Sequence, residues 1–237
     1  ETEVLMDPED LTSQGRKERY GELTDRSEAA ADAVLAWRRD SVARMKARFD
    51  PSKLGEDART SFDMWSLELE RAQLRETWRR HRYVFARGSA PTGLPNFLIN
   101  FHRVDDRSDA EAYIARIGKI DEALDQLLAR AKAAAVDGIR MPRFDYKQGL
   151  ADLARVTRGA PFSAGEDSPL FADVKRKVEA LRAGGKISDA QAAALVKAAS
   201  DTMTAQMKPA YDGVAAWLTA DMANTKPEAG GAGALPN

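Results

Sequence analysis

Apolar residues recur at spacings of three and four along most of this chain, and that periodicity restricts it to a helical fold. The clearest run consists of Tyr113, Ile117, Ile120, Leu124, Leu127 and Ala131. Residues at these spacings share one face of an α-helix, which packs against a core. Similar runs follow Asp25 and Ser168, bounded by capping residues, Pro or Gly. We therefore predict an all-α chain, a bundle of six or seven helices.

The stretch near 83–103 interrupts this pattern. Residues 83–85 are β-prone, and the segment 88–95 contains two Gly and two Pro, which argue against a continuous helix. The sequence therefore predicts one loop-rich insertion near 83–103. Because binding residues are often carried on loops, Asn96, His102 and Arg103 become candidate substrate-binding residues. Tyr211, on the last predicted helix, is a fourth candidate, although a core role is the more common one for a residue such as Tyr211 or His102.

The chain divides into three predicted parts. Residues 1–24 are expected to form an irregular lead-in, with a short helix around Arg16–Tyr20. A helical domain spans 25–224, and a Pro/Gly/Ala-rich tail or linker spans 225–237. Capping-box spacing predicts helix starts at three pairs: Asp25 with Glu28, Ser108 with Glu111, and Ser188 with Gln191. Pro209 should kink or split the long last helix.

Charge and composition exclude several functions. The 237 residues include 36 Lys plus Arg and 37 Asp plus Glu, so the net charge is −1, which argues against a nucleic-acid or polybasic membrane binder. The absence of Cys excludes a cysteine nucleophile and every cysteinyl metal site. The two His residues are too few for a three-histidine site, and they lie on different predicted elements. No residue is therefore assigned as catalytic or metal-binding. No apolar run is long enough to predict a transmembrane segment.

Six segments, in order, resemble the bacterial domain-of-unknown-function family 885. They are residues 57–63 (DARTSFD), 93–98 with 101–102 (GLPNFL, FH), 109–117 (DAEAYIARI), 137–144 (DGIRMPRF), 168–171 (SPLF) and 209–211 (PAY) with 233–237 (GALPN). The family is largely helical, and it is similar to zinc peptidases of the thermolysin and Taq-carboxypeptidase kind. The resemblance implies a zinc motif resembling His-Glu-x-x-Pro-Gly-His in the second half of a whole member. The family pattern continues with Gly and Trp-Tyr where this chain stops at Asn237.

The resemblance implies that this chain is the non-catalytic, helical N-terminal half of an uncharacterised zinc-peptidase-like protein, forming one wall of a peptide cleft and inactive alone. Its expected partners are its own C-terminal half, which would hold the zinc, and a peptide substrate. Export to the periplasm or cell envelope as a lipoprotein follows from the resemblance, with a cytoplasmic location as the alternative. From the residues alone, two other functions stay open: a helical scaffold or interaction domain without enzymatic activity, and a homodimer. An isolated half should also expose an apolar helix face.

Overall fold

The computed structural model describes residues 6–225 together with residues 231, 233 and 235. The α-helices are α1 Pro8–Ser13, α2 Glu28–Arg48, α3 Glu56–Thr77, α4 Ala90–Phe101, α5 Arg107–Gly118, α6 Ile120–Val136, α7 Arg143–Val156, α8 Pro169–Ala183, α9 Asp189–Thr202 and α10 Lys208–Asp221. A π-helical turn, Met203–Met207, joins α9 to α10. No β-strand occurs in the part of the chain that the structure describes, which confirms the all-α prediction. Most of the predicted tail, 225–237, lies outside the described residues, as do residues 1–5 of the lead-in.

The described chain forms two compact units, one of them Arg26–Arg82. This smaller unit, the hairpin, consists of α2 and α3 connected through Pro51–Lys53. Trp37 and Trp65 pack edge to face with ring centroids 5.9 Å apart, and the indole of Trp65 donates to the Ser41 hydroxyl at 3.2 Å. At the open end of the hairpin, Arg79 forms ion pairs with α2, through Glu28 among others. Aromatic packing and this arginine therefore join the two helices.

The larger unit contains the remaining described residues and has one hydrophobic core. The side chains that define its centre are Leu98, Ile117, Ile120, Leu124, Met203, Met207 and Leu218, all with no exposed surface. They come from α4, α5, α6, α10 and the π-helical turn. The turn lies just before Pro209, which is in the first turn of α10. The predicted interruption of the last helix is thus confirmed, as a π-helical turn that keeps Met203 and Met207 in the core.

The prediction of a loop-rich insertion was wrong for residues 90–101, which form helix α4. Pro91 is accommodated in the first turn, where a missing N–H does no harm. Pro95 lies inside the helix and is buried. Residues 83–89 do remain irregular, with turns rather than the β-prone run that Tyr83 begins. The Gly and Pro residues obscured the periodicity of this helix, which has Leu94 and Leu98 on its core side.

Helix boundaries differ from the predicted caps in two places. Ser27, not Asp25, caps α2 by accepting from the Ala30 N–H at 3.1 Å. Asp106, not Ser108, caps α5 by accepting from the Asp109 N–H at 3.0 Å. The capping box of Ser188 with Gln191 is confirmed at the start of α9. In the lead-in, the helix is α1 at Pro8–Ser13 rather than the predicted turn of helix around Arg16–Tyr20.

Candidate functional site

Helix α4 carries the exposed face that best fits the predicted cleft wall. Gly93, Asn96 and Asn100 are exposed and fall on one side of the helix, at spacings of three and four. The Asn100 side-chain amide donates to the carbonyl oxygen of Asn96 at 2.8 Å. Phe97 and Phe101 stack beside this face with ring centroids 5.9 Å apart. The face therefore presents amide groups next to an aromatic pair.

The N-terminal half of α4 is held by Tyr211. Pro95 has no N–H, so the carbonyl of Pro91, four residues earlier, lacks its usual helical donor. The buried hydroxyl of Tyr211 donates to that carbonyl instead. Burial raises the pKa of Tyr211, so the group stays protonated and remains a donor at neutral pH. Tyr211 thus stabilises a helix that Pro95 would otherwise weaken.

The C-terminal end of α4 is held by Lys177 of α8. Its ammonium group donates to the carbonyl oxygens of Leu98 and Ile99 at 3.1 and 3.3 Å. The same group lies 2.6 Å from a carboxylate oxygen of Asp173, which also accepts the hydroxyl of Tyr113 at 2.8 Å. Burial lowers the pKa of Lys177, while the Asp173 carboxylate raises it. A buried cation at a helix C-terminus is favoured by the helix dipole.

His102 caps α4, and both of its ring nitrogens are engaged. Its Nε2 lies 3.0 Å from the carbonyl oxygen of Asp109, and its Nδ1 lies 3.1 Å from the Nη1 of Arg116. A carbonyl only accepts and a guanidinium only donates, so these partners assign the neutral tautomer with hydrogen on Nε2. Burial lowers the pKa of His102 to about 3, and the Arg116 charge adds to this effect. The imidazole is therefore neither a general base nor an open metal ligand near neutral pH.

Arg116, on α5, is fully buried and connects His102 to the N-terminal segment. It donates to the carbonyl oxygens of Pro8 and Glu22 at 3.1 and 2.8 Å and to the Thr12 hydroxyl at 2.7 Å. Burial lowers the pKa of Arg116 to about 10, which leaves it charged at neutral pH. A buried guanidinium needs such partners, because an unpaired charge in the interior is strongly disfavoured. The N-terminal segment supplies most of them.

Aromatic rings enclose this guanidinium on two sides. Its carbon lies 5.0 Å from the ring centroid of Tyr20 and 5.3 Å from that of Phe97. The Tyr20 ring also stacks on His102, with centroids 4.0 Å apart, and its hydroxyl donates to the Arg103 carbonyl at 2.9 Å. Cation–π contacts of this kind strengthen when water is excluded. The aromatic contacts thus connect the buried arginine to Phe97, beside the amide face of α4.

Lys17 provides a second connection between the N-terminal segment and α5. Its ammonium group lies 2.6 Å from the buried Asp109 carboxylate and 2.9 Å from the exposed Asp105 carboxylate. The Asp109 hydrogen bond raises the pKa of Lys17, with Asp105 adding to the effect. Asp109 also accepts from the Asp105 N–H at 2.8 Å. Residues 7–25 are therefore fastened to the rest of the larger unit by two cations, Lys17 and Arg116, as well as by Tyr20.

The four predicted substrate-binding residues fall into two environments. Asn96 and Arg103 are exposed, on α4 and just after it, whereas His102 and Tyr211 are buried. The structure does not bring the four side chains together in one cleft. Asn96 lies on α4, Tyr211 bonds to its first turn, His102 caps its end, and Arg103 follows directly after His102.

Sequence reasoning missed Arg116 and the buried group formed by Tyr113, Asp173 and Lys177. One signal was available, because Arg116 follows Tyr113 by three residues and precedes Ile117 on the same apolar stripe. A charged residue within such a stripe is rarely buried without a partner. Its partners lie about 100 residues away, at Pro8 and Thr12, and could not be identified from spacing.

No group of three or more His, Asp or Glu residues is arranged to hold a metal ion among the residues that the structure describes. His102 has no unused nitrogen, and the nearby Asp109 and Asp173 carboxylates are paired with lysines. The described residues therefore do not fit a zinc site. Over the same residues, no helix combines the length and the apolar character needed to cross a membrane.

Comparison with known proteins identifies the family. The family model described as bacterial protein of unknown function (DUF885) matches residues 8–235. The chain belongs to the DUF885 family. No curated protein matches this DUF885 chain. A similar fold occurs in the crystal structure of "the putative lipoprotein from Colwellia psychrerythraea", with a TM-score of 0.72 at 14% sequence identity. The match covers 95% of the DUF885 chain and 40% of that protein, so the chain spans less than half of the length of the structure that it resembles.

Proposed function

We propose that this chain is the non-catalytic, N-terminal helical part of a larger zinc-peptidase-like protein, and that the exposed face of α4 forms one wall of a peptide cleft. The observation that carries the proposal is the pairing of Asn96 and Asn100 on a helix that is held at both ends. A side-chain amide has donors and an acceptor, as the peptide backbone does. The chain is expected to be inactive alone.

Rigid support favours this role for α4. Tyr211 satisfies its first turn, Lys177 satisfies its last carbonyls, and His102 ends it against Arg116. A binding face on a helix fixed in this way holds its amide groups in position without a further loss of entropy. Only 40% of the Colwellia structure matches this chain, which is consistent with a catalytic part that lies elsewhere in a longer protein.

Export to the bacterial cell envelope as a lipoprotein is part of the proposal. It is supported by the description of the similar structure as a "putative lipoprotein". Fractionation of cells that produce the natural protein, with labelling by a radioactive fatty acid, tests this part. Lipid label in the membrane fraction is the expected result, and unlabelled protein in the cytoplasmic fraction would contradict it.

An interaction domain without enzymatic activity is the second candidate. One observation favours it: three residues of α3 and the residue that caps it are exposed on one side, namely Met64, Leu67, Leu74 and Trp78. The coding sequence after residue 237 distinguishes the two functions. A His-Glu motif followed by a further Glu one to two helical lengths later supports the peptidase, and its absence supports the interaction domain.

Two measurements test the peptidase proposal directly. Purified chain should contain no stoichiometric zinc, and tight zinc at one equivalent would contradict the assignment of the metal to another part of the protein. In the protein that also contains the zinc motif, Asn96→Ala should raise KM for peptides at least several-fold, because the proposed hydrogen bond between this amide and the peptide is lost. Gln73→Ala, which removes an exposed amide from the hairpin, is the matched control and should leave KM unchanged.

A further inference from the structure

The outer side of α3 carries a stripe of exposed apolar residues. The stripe consists of Met64 (62% exposed), Leu67 (43%) and Leu74 (63%), and it extends to Trp78 (44%), the residue that caps α3. At 100° per residue, they and Arg71 fall within an arc of about 80°. Within the hairpin, the opposite side of α3 carries Phe62, Trp65, Leu69 and Ala72. On that side Trp65 contacts Trp37 of α2. The stripe is therefore not the face that α3 uses to pack against α2.

The spacing of the stripe indicates what kind of surface would cover it. Residues 64, 67, 71, 74 and 78 follow the alternating steps of three and four that place a and d positions along a coiled-coil seam. Four of the five are large and apolar, and the central one is Arg71. A seam of this spacing accepts another helix, because side chains of the partner fit between its successive turns.

The charges beside the stripe are self-complementary. Glu68 and Arg75 occupy equivalent positions, one heptad apart, on the same flank of the seam. If a second α3 runs antiparallel about an axis between residues 71 and 74, Glu68 of each copy faces Arg75 of the other. In the single chain, Glu68 lies 3.1 Å from Arg71 and 3.6 Å from Arg75, all on an exposed surface. Those charges are therefore accessible to a second copy.

We propose that the stripe on α3 binds a second copy of this chain, as an antiparallel helix pair. In this register Leu67 packs against Trp78 of the other copy, and Leu74 packs against the stem of Arg71. A parallel pair would bring the two Arg71 guanidiniums together, and like charges at a seam position oppose pairing. The proposal does not depend on the peptidase function, because it involves only the hairpin.

Light scattering of the whole chain over a range of concentrations tests the dimer. Wild-type chain should behave as a dimer that dissociates on dilution, and Leu74→Glu should be monomeric with an unchanged helical circular dichroism spectrum. Val136→Glu is the matched control, because Val136 lies in the larger unit and is 86% exposed, and this variant should remain dimeric. A wild-type chain that is monomeric at every concentration would overturn the proposal.

Charge exchange tests the register. Glu68→Arg and Arg75→Glu should each weaken the dimer at least tenfold, since each sets like charges opposite one another. The double variant should restore the affinity. Equal weakening by the single and double variants would overturn the antiparallel pairing.

The absence of Cys allows a distance test with single-cysteine variants. At a rise of about 1.5 Å per residue, the two copies of position 71 lie about 5 Å apart along the helix axis. The two copies of position 64 lie about 25 Å apart. A short bismaleimide should therefore join Arg71→Cys chains and leave Met64→Cys chains separate. Efficient joining at position 64 would contradict the antiparallel arrangement.

Discussion

The hydroxyl of Tyr211 donates to the carbonyl of Pro91, which has no helical donor because the residue four positions later is Pro95. Tyr211 and Pro91 lie 120 residues apart in the chain, so a tertiary contact replaces a local hydrogen bond. This replacement explains how a segment with two prolines forms helix α4. It also gives a fully buried tyrosine hydroxyl a structural role.

Replacing Tyr211 by Phe should lower the free energy of unfolding by about 1–3 kcal/mol, because the Pro91 carbonyl is left buried without a donor. Urea unfolding followed by circular dichroism measures the loss. Hydrogen exchange should also become faster in the first turns of α4. Unchanged stability and exchange would show that the hydroxyl does not support the helix.

Acidification should destabilise the fold through His102. Its pKa is lowered from 6.5 to about 3 in the folded chain, so the unfolded chain binds the extra proton between these values. Stability is therefore complete above pH 6.5 and falls as the pH approaches 3, by at most about 1.4 kcal/mol per pH unit. Urea unfolding at several pH values measures the slope.

His102→Gln is the matched variant for this prediction, because its amide keeps one donor and one acceptor but does not titrate. The difference in stability between wild type and His102→Gln should shrink as the pH falls from 7 to 4.5. Parallel stability curves would contradict the assignment of this titration to His102.

Truncation of Arg116 to Ala should destabilise the chain by at least about 3 kcal/mol, because it leaves the Pro8 and Glu22 carbonyls without their donor. Arg107→Ala is the control on the same helix. Arg107 forms an exposed ion pair with Glu111, which contributes less than about 1 kcal/mol. Urea unfolding compares the two variants, and limited proteolysis should cut residues 7–25 faster only in Arg116→Ala. Similar effects of both variants would contradict the buried role of Arg116.

Substitution by Ala should change the stability in opposite directions at two helical glycines, Gly149 and Gly213. A Cβ at Gly149 of α7 would lie 2.8 Å from the carbonyl oxygen of Phe85, so Gly149→Ala must displace backbone and should destabilise. A Cβ at Gly213 of α10 meets nothing within 4 Å. Gly213→Ala should therefore stabilise by up to about 1 kcal/mol through helix propensity. Thermal unfolding measures both, and a stabilising Gly149→Ala would contradict the close contact with Phe85.

Prediction from sequence succeeded where the signal was local. The periodicity from Tyr113 to Ala131 and the capping box of Ser188 with Gln191 both correspond to helices. The same periodicity did not reveal the break between Gly118 and Ile120, because apolar spacing continues across it. Gly118 lies so close to Thr202 and Gln206 that a Cβ there would be 2.6 Å from the Gln206 side chain. Such a contact between distant segments leaves no periodic signature.

The sequence by itself determined the all-α class, the family and the exclusion of cysteine chemistry, because each depends on residue type and spacing alone. Only the tertiary structure decided that residues 90–101 are helical and that His102 is buried and neutral. It alone showed that Asn96 and Asn100 share the exposed side of that helix. The physical reason is that burial and hydrogen-bond partners depend on segments far apart in the chain. Pro95 is tolerated because Tyr211 reaches Pro91, and Arg116 is buried because residues 8–22 surround it with acceptors.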